Sequence, residues 1–184
     1  MPSDVSLVAI RADERQRDLR EKLPEIVRAL QLKLGSMVGD PGTGYGYYPA
    51  ASRRSSYSRT RVFAEEIDKV RDRLQADHLE NSTLVLGTPT DPTFTKTILD
   101  AVIIADVHHE IEHPKVVLSR VKQALQPGDL LIVVDYLKTE LRNQTRRDQA
   151  KEHNIAPAFV EHDLKDAGFS QAERRPRDPY LPRV

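Results

Sequence analysis

Two spacings of apolar residues alternate along this chain. Between Asp13 and Leu32, the residues Leu19, Leu23, Ile26, Val27 and Leu30 recur at helical spacing and give one apolar face. Pro24 splits this stretch into two helices, since proline is tolerated only in a first turn, and Gly35 is a natural stop. Met37 to Asp40 is then a first strand, and Arg61 to Asp68 (Arg-Val-Phe-Ala-Glu-Glu-Ile-Asp) carries a second strand-like run ending in acids. Ile67, Val70 and Leu74 mark a helix beyond it. Ser82 to Gly87, Ala101 to Ala105 and Leu130 to Asp135 read as strands three to five. Pro114 is placed to open a helix carrying Val117, Val121 and Leu125, and Gln-Pro-Gly-Asp at 126–129 is a turn. Phe159, Val160 and Leu164 mark a final helix that stops at Gly168, before a weak strand, Phe169 to Arg175, and a proline-broken tail. Strands apolar at every position, alternating with helices, predict an α/β domain whose mostly parallel sheet is covered on both faces.

Three stretches break the alternation. Residues 1–20 form an N-terminal arm, and 45–60, with Gly46, Pro49 and a serine cluster, make a poor crossover helix. The polar segment 138–156 is a candidate lid or a helix over a site. The whole chain, 1–184, reads as one domain without internal repeats.

The most informative loop is Ser36 to Gly46, where an apolar run ends in Asp40 and glycines follow at 42, 44 and 46. Alternate glycines strip side chains from a turn and let a ligand approach bare backbone. Glu66 falls 20 residues after Gly46, where a parallel sheet places the tip of the neighbouring strand. An acid there can accept hydrogen bonds from both hydroxyls of a ribose.

Composition narrows the classes. Charged residues are 30% and apolar residues 39%, with Lys+Arg 28 against Asp+Glu 28, which is globular and gives no net steering toward nucleic acid or membrane. The arginine groups 53, 54, 59, 61 and 174, 175, 177 read as solvated surface. Without cysteine there are no disulfides, thiolate metal sites or thiol nucleophiles. No apolar run approaches the ~18 residues of a membrane span, and no leader opens the chain, so a cytoplasmic protein is expected.

From about Glu21 to Gly168 the chain resembles the class I S-adenosylmethionine-dependent methyltransferases, in particular small single-domain bacterial-type members. Asp40-Pro-Gly-Thr-Gly-Tyr-Gly46 fits the family's Asp-x-Gly-x-Gly-x-Gly loop, and Val62 to Asp68 its second motif. Leu84-Val-Leu-Gly87 and Asp100 to His109 fit strands three and four. Ala124 to Tyr136 resembles the family's Leu-x-Pro-Gly-Gly turn and fifth strand, and Asp166-Ala-Gly-Phe169 its late Ala-Gly-Phe. The resemblance implies a Rossmann-like, doubly wound, seven-stranded sheet with a weak antiparallel last strand. It implies methyl transfer from S-adenosylmethionine, leaving S-adenosylhomocysteine. The cofactor would be held by Asp40, Pro41, Gly42, Thr43, Gly44 and Gly46, with Glu66 on the ribose and Ile67 on the adenine face. Thr88 and Pro89 would border the adenine edge, and Asp106 the methyl donor and acceptor.

Pro41, Tyr45 and Thr88 depart from the family pattern, which motivates a second reading: a non-catalytic or weakly active scaffold on the same fold. A third, an NAD(P)-dependent oxidoreductase, needs Gly-x-Gly-x-x-Gly, whereas here Tyr47 stands where the last glycine should be.

Histidines supply the remaining chemistry. His108 and His109 are candidate general bases beside Asp106, because imidazole titrates near neutral pH. His109-Glu-Ile-Glu-His113 satisfies the zinc-protease pattern, but Pro114 pushes His113 away from helical geometry. Asp106 and Asp135 end adjacent strands and could take a cation, yet Tyr136 stands where metal-dependent catechol-type relatives carry Asn, so no metal is expected. The expected partner is a small-molecule acceptor of methyl at oxygen, nitrogen or carbon, with neither nucleic acid nor membrane. The oligomeric state is left open between monomer and homodimer.

Overall fold

A computed structural model describes residues 23–42, 47, 67–79, 81–169, 175–177 and 181–183. Thr43, Gly44, Gly46 and Glu66, and the expected second strand up to residue 66, lie outside the described residues. Helix α1 (Leu23–Ala29) has Pro24 in its first turn, as its missing N–H requires. Strand β1 (Val38–Gly39) follows, then α2 (Ile67–Ala76) and β2 (Leu99–Ala105). A short 3-10 turn, His108–Glu110, leads to α3 (Pro114–Ala124), whose first residue is the expected proline. Strand β3 (Leu125–Val134) and a second 3-10 turn, Thr139–Leu141, precede α4 (Arg146–Lys151) and α5 (Pro157–Asp166). Strands β4 (Arg175–Arg177) and β5 (Leu181–Arg183) close the order.

The sheet among the described residues has five strands in the order β1-β2-β3-β5-β4. β1, β2 and β3 are mutually parallel, and β5 adds antiparallel to β3 through Val134 and Arg183. β2 shows why a wholly apolar strand belongs in the middle. Val102 and Ile104 pack on one face with Leu118 and Val121 of α3 and Val160 and Leu164 of α5. Ile103 and Ala105 pack on the other with Ile26 of α1 and Tyr47. The expected parallel sheet with both faces covered is borne out; a count of seven strands is not.

Of the expected third strand, Ser82 to Gly87, the described residues show a single bridge position, at the exposed Leu86, and the neighbour expected for it lies outside the described residues. Two expectations need correction. Leu125 is not helical but opens β3, where it pairs with Leu99. The Gln-Pro-Gly-Asp turn lies inside β3 as an irregularity: the register steps from Leu99–Leu125 to Ala101–Leu130. Gln126 N–H closes this loop on the Asp129 carboxylate at 2.8 Å. The described part of the tail holds two short strands, and residues 170–174 of the expected strand Phe169 to Arg175 lie outside the described residues. Each carries a proline, which suits an edge ladder made of few hydrogen bonds.

Segment 138–156 is knit into the domain by buried amides. Gln149 is fully buried, donates to the carbonyls of Leu141 and Gln144, and accepts from Ala156 N–H at 2.6 Å. Asn154 accepts from Lys138 N–H at 2.7 Å. These bonds add to the segment's few apolar anchors, the buried Leu141, Ile155 and Ala156.

Candidate active site

Each of the three parallel strands ends in an aspartate: Asp40 after β1, Asp106 after β2 and Asp135 after β3. Parallel pairing puts their carboxyl ends at one edge of the sheet, where ligands of open α/β sheets bind. Asp40 and Asp135 are buried, and Asp106 is half-buried in a left-handed conformation, φ 56°.

The glycine turn begins on this edge. Pro41 is buried, and Gly42 has φ +82°, the left-handed region that favours glycine. A Cβ at Gly42 would lie 2.7 Å from a methyl of Val107, so the tip of β1 packs directly on the residue after Asp106. Ile67 opens α2. Thr88 and Pro89 are exposed in the tight turn in which Asp91 N–H donates to the Thr88 hydroxyl at 3.0 Å.

Both candidate histidines are buried, each against an acid. His108 has its ring sealed from solvent, with Nε2 2.9 Å from Asp163 of α5. The same Asp163 oxygen accepts from Arg146 at 2.6 Å. This leaves His108 as a structural bridge between the 3-10 turn, α4 and α5 rather than a general base. Burial alone would raise the Asp163 carboxyl; the hydrogen bonds from His108 and Arg146 and the Arg146 charge outweigh it and hold it below the ordinary carboxylate range. A depressed carboxyl contributes stability that is fully present above about pH 4, its unfolded value, and lost as pH falls through the folded value. Urea unfolding from pH 6 to pH 3 should show a shallower acid decline in Asp163→Asn than in the wild type. Equal slopes would remove Asp163 from the acid response.

His109 is buried too, but it lies under the exposed side chains of Glu110 and His153. Its Nδ1 lies 2.9 and 3.1 Å from the two Asp135 oxygens, and its own N–H donates to the same carboxylate at 3.1 Å. Tyr136 N–H is a third donor, at 2.8 Å. A carboxylate only accepts, so the Nδ1 proton points at Asp135 and Nε2 is turned toward Glu110 and His153. Burial works against a charged His109 ring, but the hydrogen bond and charge of Asp135, with Glu110 and Asp106, raise its pKa above the usual histidine value.

The arrangement therefore brings the turn at Gly42 to the same sheet edge as two strand-tip carboxylates, with an Asp–His pair at the third. The family described as a methyltransferase domain matches residues 39–133, more than half of the chain. The chain belongs to the methyltransferase-domain family. The class I S-adenosylmethionine-dependent resemblance read from its motifs is borne out. No curated protein sequence matches the chain. Among solved structures, a SAM-dependent methyltransferase from Aquifex aeolicus is 20% identical with a TM-score of 0.74, over 88% of this chain and 87% of that one. Phosphoethanolamine N-methyltransferase 2 of Haemonchus contortus, in complex with S-adenosyl-L-methionine, is 18% identical (TM-score 0.68, 84% of this chain and 38% of that one). The [4+2]-cyclase SpnF is 17% identical (TM-score 0.71, 84% and 58%). The methyltransferase-domain chain thus spans less than two thirds of the last two proteins, and at these identities the likeness is one of fold.

The motifs missed the partners that organise the histidines. Asp163 carried a signal, because it lies on the buried face of α5 with Val160, Leu164 and Ala167, where an unpaired acid would not be tolerated. Arg146 and His153 carried none. They come from the polar stretch 138–156, which has no periodicity to place a side chain.

Proposed function

We propose that the chain transfers a methyl group from S-adenosylmethionine to an oxygen, nitrogen or carbon of a small molecule. The carrying observation is the row of strand-tip aspartates on one sheet edge with the left-handed turn at Gly42, in a chain of this family. Asp40 would take the cofactor's amino end, the Gly42–Gly46 backbone the methionine part, and Glu66 the ribose hydroxyls. Ile67, Thr88 and Pro89 would surround the adenine, and Asp106 would border the reacting methyl.

S-adenosylmethionine held there would supply a sulfonium-activated methyl group for transfer to an acceptor's electron pair, with S-adenosylhomocysteine as the leaving group. The protein's part is alignment and, for a protonated acceptor, removal of a proton. His109 accepts that proton at Nε2, and Asp135 stabilises the imidazolium that forms. The acceptor enters over the strand ends, between the His108–Glu110 turn and segment 138–156. The protein works in the cytosol.

Calorimetric titration with S-adenosylhomocysteine tests the reading. Micromolar binding is expected, weakened about 10- to 100-fold in Glu66→Ala by loss of a charged hydrogen-bond acceptor. A folded protein that binds none would sink it and leave the scaffold reading, which Pro41 and Thr88 favour. A similar fold in a [4+2]-cyclase underlines that fold alone does not choose the chemistry.

A further inference from the structure

Three potential metal-binding atoms converge outside the glycine turn. His109 Nε2 lies 3.3 Å from His153 Nδ1 and 3.5 Å from Glu110 Oε1, and the last two are 3.5 Å apart. These separations are long for hydrogen bonds between such groups. They are the separations that an ion imposes on its ligands: tetrahedral bonds of about 2.0–2.1 Å put neighbouring donors about 3.3–3.5 Å apart. The two imidazoles also stand nearly perpendicular, at 86°, so their edges rather than their faces meet.

From this geometry we propose a divalent metal site of the zinc type at His109, Glu110 and His153, with Asp135 as the carboxylate behind it. Zinc-bound histidines characteristically donate their other N–H to a carboxylate, which fixes the tautomer and aims the free lone pair. Asp135 does this for His109 at 2.9 Å. Two imidazoles and one carboxylate suit zinc, cobalt or nickel better than magnesium or calcium, which want oxygen ligands. Asp106 adds negative charge beside the ring. Glu110 and His153 are exposed, so the fourth position opens to solvent.

A second grouping, Asp106, His109 and Asp135, is the weaker candidate. Asp135 already accepts three N–H groups, two from His109 and one from Tyr136, so it is engaged as a support. The site also gives the His109-Glu110 half of the His-Glu-x-x-His motif a role. Its second histidine comes from His153, 44 residues downstream, in place of His113. This departs from the sequence expectation of no metal. An ion at Nε2 would occupy the lone pair used as a base in the methyl-transfer reading, so the loaded chain would present a Lewis acid there instead. The inference itself stands apart from that reading, because binding is measured without cofactor.

The full chain, stripped with a chelator, would be titrated with zinc chloride in competition with a chromophoric chelator, and with cobalt chloride for its visible absorption. One ion per chain is expected, with intense cobalt bands of low coordination number. His153→Ala and Glu110→Gln should each weaken binding at least about tenfold, and Asp135→Asn, checked for folding by circular dichroism, about 10- to 100-fold. His113→Ala and His162→Ala should leave it unchanged. No saturable one-to-one binding, full affinity in His153→Ala, or equal losses in His113→Ala and His162→Ala would each overturn the site.

Discussion

Asp135→Ala is expected to lower the unfolding free energy by about 3 kcal/mol or more, since each buried donor left without its acceptor costs about 1–3 kcal/mol. Three donors would lose their acceptor together: the backbone and ring N–H groups of His109 and the backbone N–H of Tyr136. Both residues of the pair are buried, so water cannot readily replace the carboxylate. Asp135→Asn should cost less, since its remaining oxygen still accepts from backbone N–H. Urea denaturation of the two variants and the wild type at neutral pH measures the difference. A loss below about 1 kcal/mol in the alanine variant would mean that the His108–Glu110 turn is held from elsewhere.

Gly42→Val should abolish detectable S-adenosylhomocysteine binding and destabilise the fold as well. Two costs add. A left-handed φ costs a residue with a Cβ about 1–2 kcal/mol, more when the side chain is β-branched, and overpacking typically costs another ~1–3 kcal/mol. The clash is specific: Val107 side-chain carbons lie 2.7, 2.9 and 3.2 Å from the added Cβ. Gly35 provides the comparison, because it has a similar φ, +89°, with nothing within 4 Å of a Cβ. Gly35→Ala should therefore show the backbone cost alone, while Gly42→Ala shows backbone cost plus contact. Calorimetry and urea unfolding on these variants separate the two. Unchanged cofactor affinity in Gly42→Val would detach the turn from the binding site.

The features legible in the sequence are those fixed by local rules. An all-apolar run at 101–105 has one home, the middle of a parallel sheet, and β2 is there. Pro114 opens α3, and Gly168, after α5, has a left-handed φ of +84°. The strand-tip acids followed from the same reasoning, since each closes an apolar run. Features that depend on long-range pairing were not legible. Leu125 completes the spacing of Val117 and Val121 as well as any helical residue, yet a partner on β2 draws it into the sheet. His108 and His109 looked like two equivalent bases in one dipeptide. Asp163 from one helix and Asp135 from the end of one strand divide them into two buried pairs, of which only the His109 pair also meets exposed side chains, Glu110 and His153. Gln149 and Asn154 read as lid residues because they are polar, although buried backbone partners hold them as firmly as apolar packing would.

The partners of the histidine turn also set the order in which the site is assembled. His109 waits for Asp135, 26 residues later, for His153, 44 residues later, and His108 for Asp163, 55 residues later. A chain emerging during synthesis therefore has its glycine turn and β2 long before its histidines have anything to hold them. Contacts that close such loops are entropically late, so His109 can meet its partners before α5 exists, while His108 meets its own only when α5 docks. The nascent chain carries its glycine turn before it carries what holds its histidines.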